Sequence, residues 1–207
     1  MQSERADTGF ATANRGCQGR GIGYIFPFSA ADPSHRLAAR PLGSCGMRFN
    51  LVDRVHGWEP GKRLTASKVL TLGEEYLADH FPTFPVMPGV LMLQAVAEAS
   101  AWLWRVTNEF QHTVIVLREV KNAKYGTFMP PGHTLELSTE LVKADETTAT
   151  FRGKGNVRGG GQTVNAQITL AGYNVRDRLP EGQATDDRLR AHWQERWRWL
   201  TKEANPG

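Results

Sequence analysis

Three side chains that could move or position a proton lie close together in the sequence: His80, Gln94 and Glu98. Imidazole side chains ordinarily titrate near pH 6.5, so a neutral histidine can accept a proton at neutral pH. Gln94 and Glu98 are spaced i and i+4, which places them on one face of a helix, one turn apart. A carboxylic acid can donate a proton, whereas an amide can only hold a water or a hydroxyl group. This combination is typical of general acid–base chemistry.

Two of these residues, His80 and Glu98, also have an ordinary structural interpretation. A single histidine is more often a satisfied structural residue than a catalytic one, and nothing in composition alone distinguishes the two. Glu98, in an otherwise apolar segment, could instead form a buried ion pair, with Arg105, Arg118 or Lys124 as its partner. Both interpretations stay open at this point.

The segment that carries these residues is a stiff loop followed by a helix. Pro82, Pro85 and Pro88 fix the backbone and favour extended conformations before them, so residues 80–88 cannot be helical. From about Pro88 to Val106 apolar residues recur at helical spacing, and a proline is tolerated at a helix start. Because the apolar character extends over more than one face, we expect this helix to be buried centrally.

The remaining elements predict an antiparallel sheet. Residues 63–72 form the first clear strand, and residues 113–120 form a β-rich run that we expect near the centre of the sheet. Three alternating segments follow, beginning near Leu135, Ala149 and Val164 and separated by turn residues. Alternation with period two indicates one covered face, as in a sheet packed on a helix. The fold class is therefore α+β.

A family resemblance rests on the sequence HFPTFPVMPGVL, residues 80–91. It resembles the active-site segment of the 3-hydroxyacyl-(acyl carrier protein) dehydratases, the FabZ/FabA-like enzymes of fatty acid synthesis. The similarity extends over residues 47–172 and is weaker at PPGHTL, residues 130–135. It implies a hot-dog fold, an antiparallel sheet wrapped around a long central helix, and a lyase that removes water from 3-hydroxyacyl thioesters.

The resemblance also implies roles for individual residues. His80 would be the base, the Val86 carbonyl would orient its ring, and the Gly89 amide would receive the thioester oxygen. The acyl tunnel would be lined by residues such as Phe81, Met87 and Leu91. One departure is reciprocal, since the family has an acid where this chain has Gln94 and a glutamine where it has Glu98. Our hypothesis is an exchanged pair in which Gln94 positions the hydroxyl group and Glu98 supplies the proton.

Two other functions, one catalytic and one not, are compatible with the same residues. Hot-dog thioesterases often use a carboxylate on the central helix to activate water, and Glu98 could do this. Alternatively, the loss of the acid at position 94 could mark a non-catalytic protein that only binds acyl chains. Retention of His80, Gly89 and Glu98 favours the dehydratase.

The partners and location follow mostly from the resemblance. The substrate would be bound to acyl carrier protein or coenzyme A, no cofactor is implied, and the family is cytoplasmic. Family sites lie between two subunits, which implies a homodimer or a hexamer built as a trimer of dimers. A net charge of +4 is far from the dense basic patch typical of nucleic-acid binding. No metal-ligand spacing and no transmembrane run of apolar residues is present in the sequence.

The two ends of the chain differ from the domain at residues 47–180. Residues 1–46 are rich in Gly, Ser, Arg and Ala, and we expect them to be disordered; Met47 is an alternative start. Residues 181–207 predict a basic amphipathic helix with Leu189, Trp193, Trp197 and Leu200 along one stripe. It could pack on the domain or a neighbouring subunit, or meet a membrane surface or an acidic carrier protein.

Overall fold

Six antiparallel strands form one sheet around a long helix, which confirms the α+β hot-dog prediction. The computed structural model describes residues 50–202 and 204, so the predictions for residues 1–46 and the alternative start lie outside the described residues. The elements in chain order are β1 (Arg54–Glu59), β2 (Arg63–Val69), α1 (Gly89–Thr107), β3 (Val114–Tyr125), β4 (Thr134–Ala144), β5 (Thr148–Val157), β6 (Gln162–Tyr173) and α2 (Gln183–Leu200). The strand order is β1-β2-β4-β5-β6-β3.

The core lies between the concave face of the sheet and α1. Helix α1 spans 19 residues and begins directly after Pro88, as the proline pattern predicts. Its buried residues include many alanines, which let the strands approach the helix axis closely. The inward residues of β4, β5 and β6, among them Leu137, Phe151 and Ile168, alternate with less buried ones, so the period-two prediction is confirmed.

Strand β3 does not lie where the sequence places it. The apolar run at residues 113–120 predicts a strand near the sheet centre, but β3 pairs only with β6 and forms the edge of the described sheet. Val116 and Leu117 are 42% and 40% exposed there. The prediction is wrong because an apolar run shows that a strand favours burial and does not show what covers it. An exposed apolar edge strand of this length is a surface on which another strand can pair.

The close approach of β5 to α1 depends on Gly153. A Cβ atom built at this position would overlap the Cγ1 atom of Val96, which points from α1 into the sheet. Any larger residue at position 153 would clash with α1 where β5 crosses it, so this position requires glycine.

We expect Gly153→Ala to lower the free energy of unfolding by about 1–3 kcal/mol, the usual cost of overpacking a filled core. Gly57→Ala in β1 is the matched control, because a Cβ atom there would make only an ordinary contact of 3.5 Å with Thr65. Chemical denaturation of the two variants measures the difference. Equal stability of the two variants would contradict a tight helix–sheet contact at Gly153.

Helix α2 packs its apolar stripe on the domain. The ring centroids of Trp197 and Trp58 are 5.1 Å apart, those of Trp193 and Trp102 are 5.7 Å apart, and Leu200 is buried. Edge-to-face pairs of this kind add to the stabilisation from burial alone. The stripe that the sequence identifies therefore contacts α1 and β1 within the same chain.

The start of α2 is fixed by Asp186, a residue that the sequence did not single out. Its carboxylate accepts hydrogen bonds from the Thr113 hydroxyl and from the amides of Val175 and Arg176, the latter two at 2.8 and 3.0 Å. Burial alone would raise the pKa of Asp186, but these donors outweigh burial and lower its pKa. The ionised carboxylate thus ties α2 to the segment before β3 and to the turn after β6.

Candidate active site

The loop that carries His80 is closed by its own hydrogen bonds. The Val86 amide donates to the His80 carbonyl at 3.1 Å, and the amides of Phe81 and Phe84 donate to each other's carbonyls at 3.3 and 3.0 Å. The Met87 amide donates to the Met129 carbonyl at 2.9 Å, which ties the loop to the segment before β4. The prolines restrict the same loop, so its shape is determined before any ligand binds.

The His80 ring is oriented by this loop. Its Nδ1 atom lies 3.0 Å from the Val86 carbonyl oxygen. A carbonyl can only accept, so Nδ1 carries the hydrogen and Nε2 of the neutral ring has a free lone pair. The contact between His80 and Val86 is the one that the family resemblance implies, and it leaves Nε2 able to accept a proton.

The first turn of α1 offers unpaired donors beside this loop. The amides of Leu91 and Met92 both donate to the Pro88 carbonyl, at 3.0 and 3.1 Å, whereas those of Gly89 and Val90 precede the first helical hydrogen bonds. The helix dipole adds partial positive charge at this end. The Tyr125 ring lies against Gly89, 3.1 Å from where a Cβ atom would stand, so a larger residue at this position would press on the ring.

Gln94 and Glu98 line one cavity of about 210 Å³ beside α1. Helix α1 contributes Gln94, Glu98 and Arg105 together with several small residues, while β3, β6 and α2 contribute apolar walls. The lining residues are Asn50, Gln94, Ala97, Glu98, Ala101, Trp102, Arg105, Ile115, Leu117, Leu170 and Trp193. The i, i+4 spacing of Gln94 and Glu98 thus places both side chains at the same space, as the sequence predicts.

Glu98 is held in a partly buried position that favours its protonated form. Burial raises the pKa of Glu98, while the Leu51 amide, which donates to Oε2 at 2.8 Å, acts in the opposite direction. The positive charges of Arg196 and Arg105 also lower the pKa, but the net shift is upward. No ion pair joins Glu98 to Arg105, Arg118 or Lys124 within residues 50–202, so the structural alternative that the sequence left open for Glu98 is not formed there.

The single chain does not bring all of the predicted site residues together. His80 does not line the cavity that contains Gln94 and Glu98. Of the residues expected along the acyl tunnel, Phe81 is 50% exposed, Met87 is 2% exposed within the core, and Leu91 packs partly buried against the core. Within one chain the candidate site residues therefore fall into two separate places: the His80 loop with the start of α1, and the cavity that contains Gln94 and Glu98.

Several cavity residues were not identified from the sequence as parts of a site. Arg105 was considered only as an ion-pair partner and Trp193 only as part of an amphipathic stripe. Their spacing gives a partial signal, because Gln94, Glu98 and Arg105 recur at i, i+4 and i+11 on one helical face. Helix α2 also lines this cavity through Trp193, and no local sequence pattern indicates this, because it depends on how the helix packs on the domain.

The described part of the chain contains neither a cluster of metal-ligating side chains nor a helix that could cross a membrane. No group of three or more His, Cys, Asp or Glu side chains within it could hold a metal ion. No helix among residues 50–202 is both long and apolar enough to cross a membrane.

The raised pKa of Glu98 predicts a pH-dependent effect on stability. An unfolded glutamate ionises near its ordinary value of 4.5, whereas the folded protein holds the proton to higher pH. The wild type therefore loses stability as pH rises from 4.5 through the raised pKa, because the unfolded state binds fewer protons there. Glu98→Gln cannot ionise and escapes this loss.

We expect the stability of Glu98→Gln relative to the wild type to increase from pH 4.5 to pH 7.5, the lower limit being the ordinary pKa. Urea denaturation at fixed protein concentration measures it. Gln94→Ala, which removes no titratable group one turn earlier, is the control. A difference between Glu98→Gln and the wild type that is constant across this range would show that Glu98 is ionised throughout.

Comparison with known proteins gives a matching family model and similar sequences. A family model described as FabA-like domain matches residues 45–167, ending before α2 begins. The chain is 37% identical over 120 residues to a 3-hydroxyacyl-(acyl-carrier-protein) dehydratase FabZ of Clostridium acetobutylicum, covering 58% of this chain and 84% of that protein. It is 42% identical over 120 residues to the FabZ of an Anaeromyxobacter species, covering 56% of this chain and 75% of that protein.

Among solved structures, the chain is similar to one from the dehydratase heterocomplex ApeI:P of Xenorhabdus doucetiae. The TM-score is 0.51 at 14% sequence identity, and the match covers 63% of this chain and 88% of that chain. At this identity the similarity concerns the fold alone.

Proposed function

Because the chain belongs to the FabA-like domain family, which its match over residues 45–167 shows, we propose that it is a dehydratase of 3-hydroxyacyl thioesters. The observation that supports this most directly is the His80 ring, which is fixed by the Val86 carbonyl at 3.0 Å with Nε2 free to take a proton. The thioester is carried by acyl carrier protein, as the names of the FabZ relatives state for those proteins, or by coenzyme A.

In the proposed reaction His80 removes a proton from C2 of the substrate. The electron pair moves toward the thioester carbonyl, whose oxygen gains negative charge. The unpaired Gly89 amide at the positive end of α1 stabilises that charge. The carbonyl is thus activated by a group that needs no rearrangement when the charge develops.

The C3 hydroxyl group then leaves as water, and this step requires a proton. Gln94 can hold the hydroxyl group but has no proton to give near neutral pH. Glu98 can supply it, and burial raises its pKa so that the protonated form persists to higher pH. One proton is taken by His80 and one is given by Glu98, so transfer between them through water restores the starting state.

A second copy of the chain completes the proposed site. His80 and Glu98 do not share a cavity within one chain, and the exposed apolar edge at β3 is suited to pairing with another strand. We propose a homodimer in which the histidine loop of one subunit meets the Glu98 face of the other. A hexamer would contain three such dimers.

The activity is tested with crotonyl and 3-hydroxybutyryl thioesters of coenzyme A and of acyl carrier protein. Ultraviolet absorbance follows the double bond, and a thiol reagent follows release of the carrier. We expect a change in absorbance without thiol release. Thiol release would instead identify a thioesterase in which Glu98 activates water, and no change in either signal would identify an acyl-binding protein.

A further inference from the structure

Arg105 is a buried cation that forms no ion pair with any of the described residues. The residue is 5% exposed, and its Nε atom has no hydrogen-bond partner among residues 50–202. The guanidinium lies beside two aromatic rings, 4.3 Å from the Trp193 centroid and 5.1 Å from the Trp102 centroid. Arginine ordinarily enters a protein interior together with a carboxylate or phosphate, because its removal from water is costly.

Glu98 interacts with Arg105 electrostatically but does not form an ion pair with it. The two residues are seven positions apart on α1, a rise of about 10 Å, and no ion pair joins them in the described chain. One oxygen of Glu98 is held by the Leu51 amide at 2.8 Å. Burial lowers the pKa of Arg105 to about 10, against the opposing effect of the Glu98 charge, so the guanidinium stays positive at neutral pH. The cavity therefore has a net cationic end.

Helix α2 fixes the position of this cationic end. The Trp193 indole N–H donates to the Thr113 carbonyl at 2.9 Å, and the Thr113 hydroxyl donates to Asp186 at the start of the same helix. Trp193 is thus held rigidly over Arg105, and one face of the guanidinium is closed. Its in-plane N–H groups remain able to donate into the cavity.

The cavity extends along α1 from Gln94 to Arg105. These residues lie on one helical face with Glu98 and Ala101 between them, and the axial rise is about 16 Å. The strands that face this helix contribute an apolar wall, formed by Ile115, Leu117 and Leu170. The space thus has proton-transfer residues at one end, an apolar middle and a fixed cation at the far end.

We propose that this cavity binds acyl chains whose far end carries a carboxylate, which forms charge-assisted hydrogen bonds with Arg105. The inference rests on the proposed dehydratase function, because the reacting end of the chain is placed beside Gln94 and Glu98. A methyl end would leave the guanidinium desolvated and unpaired, whereas a carboxylate matches its planar donors in pairs. The preferred substrate is then the half-thioester of a 3-hydroxy dicarboxylic acid.

Binding tests this preference independently of turnover. The probes are pantetheine amides of saturated acids, which neither a lyase nor a thioesterase can convert: a dicarboxylic chain, its neutral terminal methyl ester, and the monocarboxylic chain of equal length. Titration calorimetry with the wild-type protein should show about tenfold tighter binding of the dicarboxylic amide than of either neutral probe. Equal affinities for the three probes would overturn the inference.

Variants of Arg105 test whether the preference for the dicarboxylic probe depends on this side chain. Arg105→Gln should bind all three probes alike, and Arg105→Lys should retain a reduced preference because it keeps the charge but loses the paired donors. Circular dichroism checks that each variant is folded. If a variant is not folded, the comparison of the dicarboxylic probe with its methyl ester in the wild type still tests the inference. Persistence of the full preference in folded Arg105→Gln would overturn the inference.

The test also separates this inference from the proposed function. If no thioester is dehydrated but the Arg105-dependent preference is measured, the dehydratase fails and the carboxylate site stands. If monocarboxylic 3-hydroxyacyl thioesters are dehydrated as fast as dicarboxylic ones at low concentration, and Arg105→Gln changes neither rate, the dehydratase stands and the carboxylate site fails.

Discussion

Replacing His80 with alanine is expected to slow dehydration of a 3-hydroxyacyl thioester by about 10²–10⁴-fold, the usual contribution of a positioned base. The side chain is the proposed acceptor of the C2 proton, and the hydrogen bond from Nδ1 to the Val86 carbonyl keeps Nε2 available for it. The loss should fall on kcat, because the imidazole acts in the transition state more than in substrate binding.

Two controls make this result specific. His133→Ala removes an exposed histidine whose Nδ1 atom lies 3.3 Å from the Pro131 carbonyl oxygen, and it should leave the rate unchanged. His80→Asn keeps a donor near Nδ1 for the Val86 carbonyl but removes the base, so it should be as slow as His80→Ala. Exchange of the C2 hydrogen with deuterated solvent should disappear in both His80 variants. Full activity of His80→Asn would show that His80 only shapes its loop.

The local parts of the fold could be predicted because they follow from local constraints. Prolines exclude helix from the His80 loop, and helical spacing after Pro88 predicts α1, which begins at Gly89. Alternation identifies β4, β5 and β6, since successive side chains of a strand point to opposite faces. These features depend on neighbouring residues alone.

The features that depend on packing between distant elements could not be predicted in the same way. The apolar residues of β3 indicate burial, but only the sheet order shows that this strand is at the edge. Arg105 and Trp193 are far apart in sequence, and their stacking depends on how α2 docks. Asp186 is an ordinary acid in the first turn of a helix until the turn after β6 folds onto it. In each case the chemistry of a residue is set by what packs beside it.

The exchanged pair on α1 predicts that Glu98→Gln lowers the dehydration rate by about 10²–10⁴-fold, the range for loss of a general acid. In the wild type the Leu51 backbone amide donates to Glu98 Oε2. The side-chain oxygen of the new glutamine can accept the same hydrogen bond, so the fold is preserved while the acidic proton is removed. Rates of crotonyl thioester hydration, with protein stability checked by urea denaturation, measure the effect.

The double variant Gln94→Glu with Glu98→Gln should recover much of this loss. It moves the acid one turn along the same cavity and recreates the order implied by the family resemblance. Gln94→Glu alone places two carboxyl groups within a turn of each other, so their repulsion should raise the pH at which the pair fully ionises. A double variant as slow as Glu98→Gln would show that position 98 alone can deliver the proton.

The single variant Glu98→Gln, mixed with His80→Ala, distinguishes a site within one chain from a site between two chains. If the histidine of one subunit works with the glutamate of the other, a dimer of His80→Ala with Glu98→Gln has one intact site and one doubly altered site. Refolding the two inactive variants together should then restore about a quarter of the wild-type activity, because about half of the dimers are mixed and each has one of two sites. If both residues act within one chain, every site in the mixture lacks one of them and activity stays at the level of the single variants.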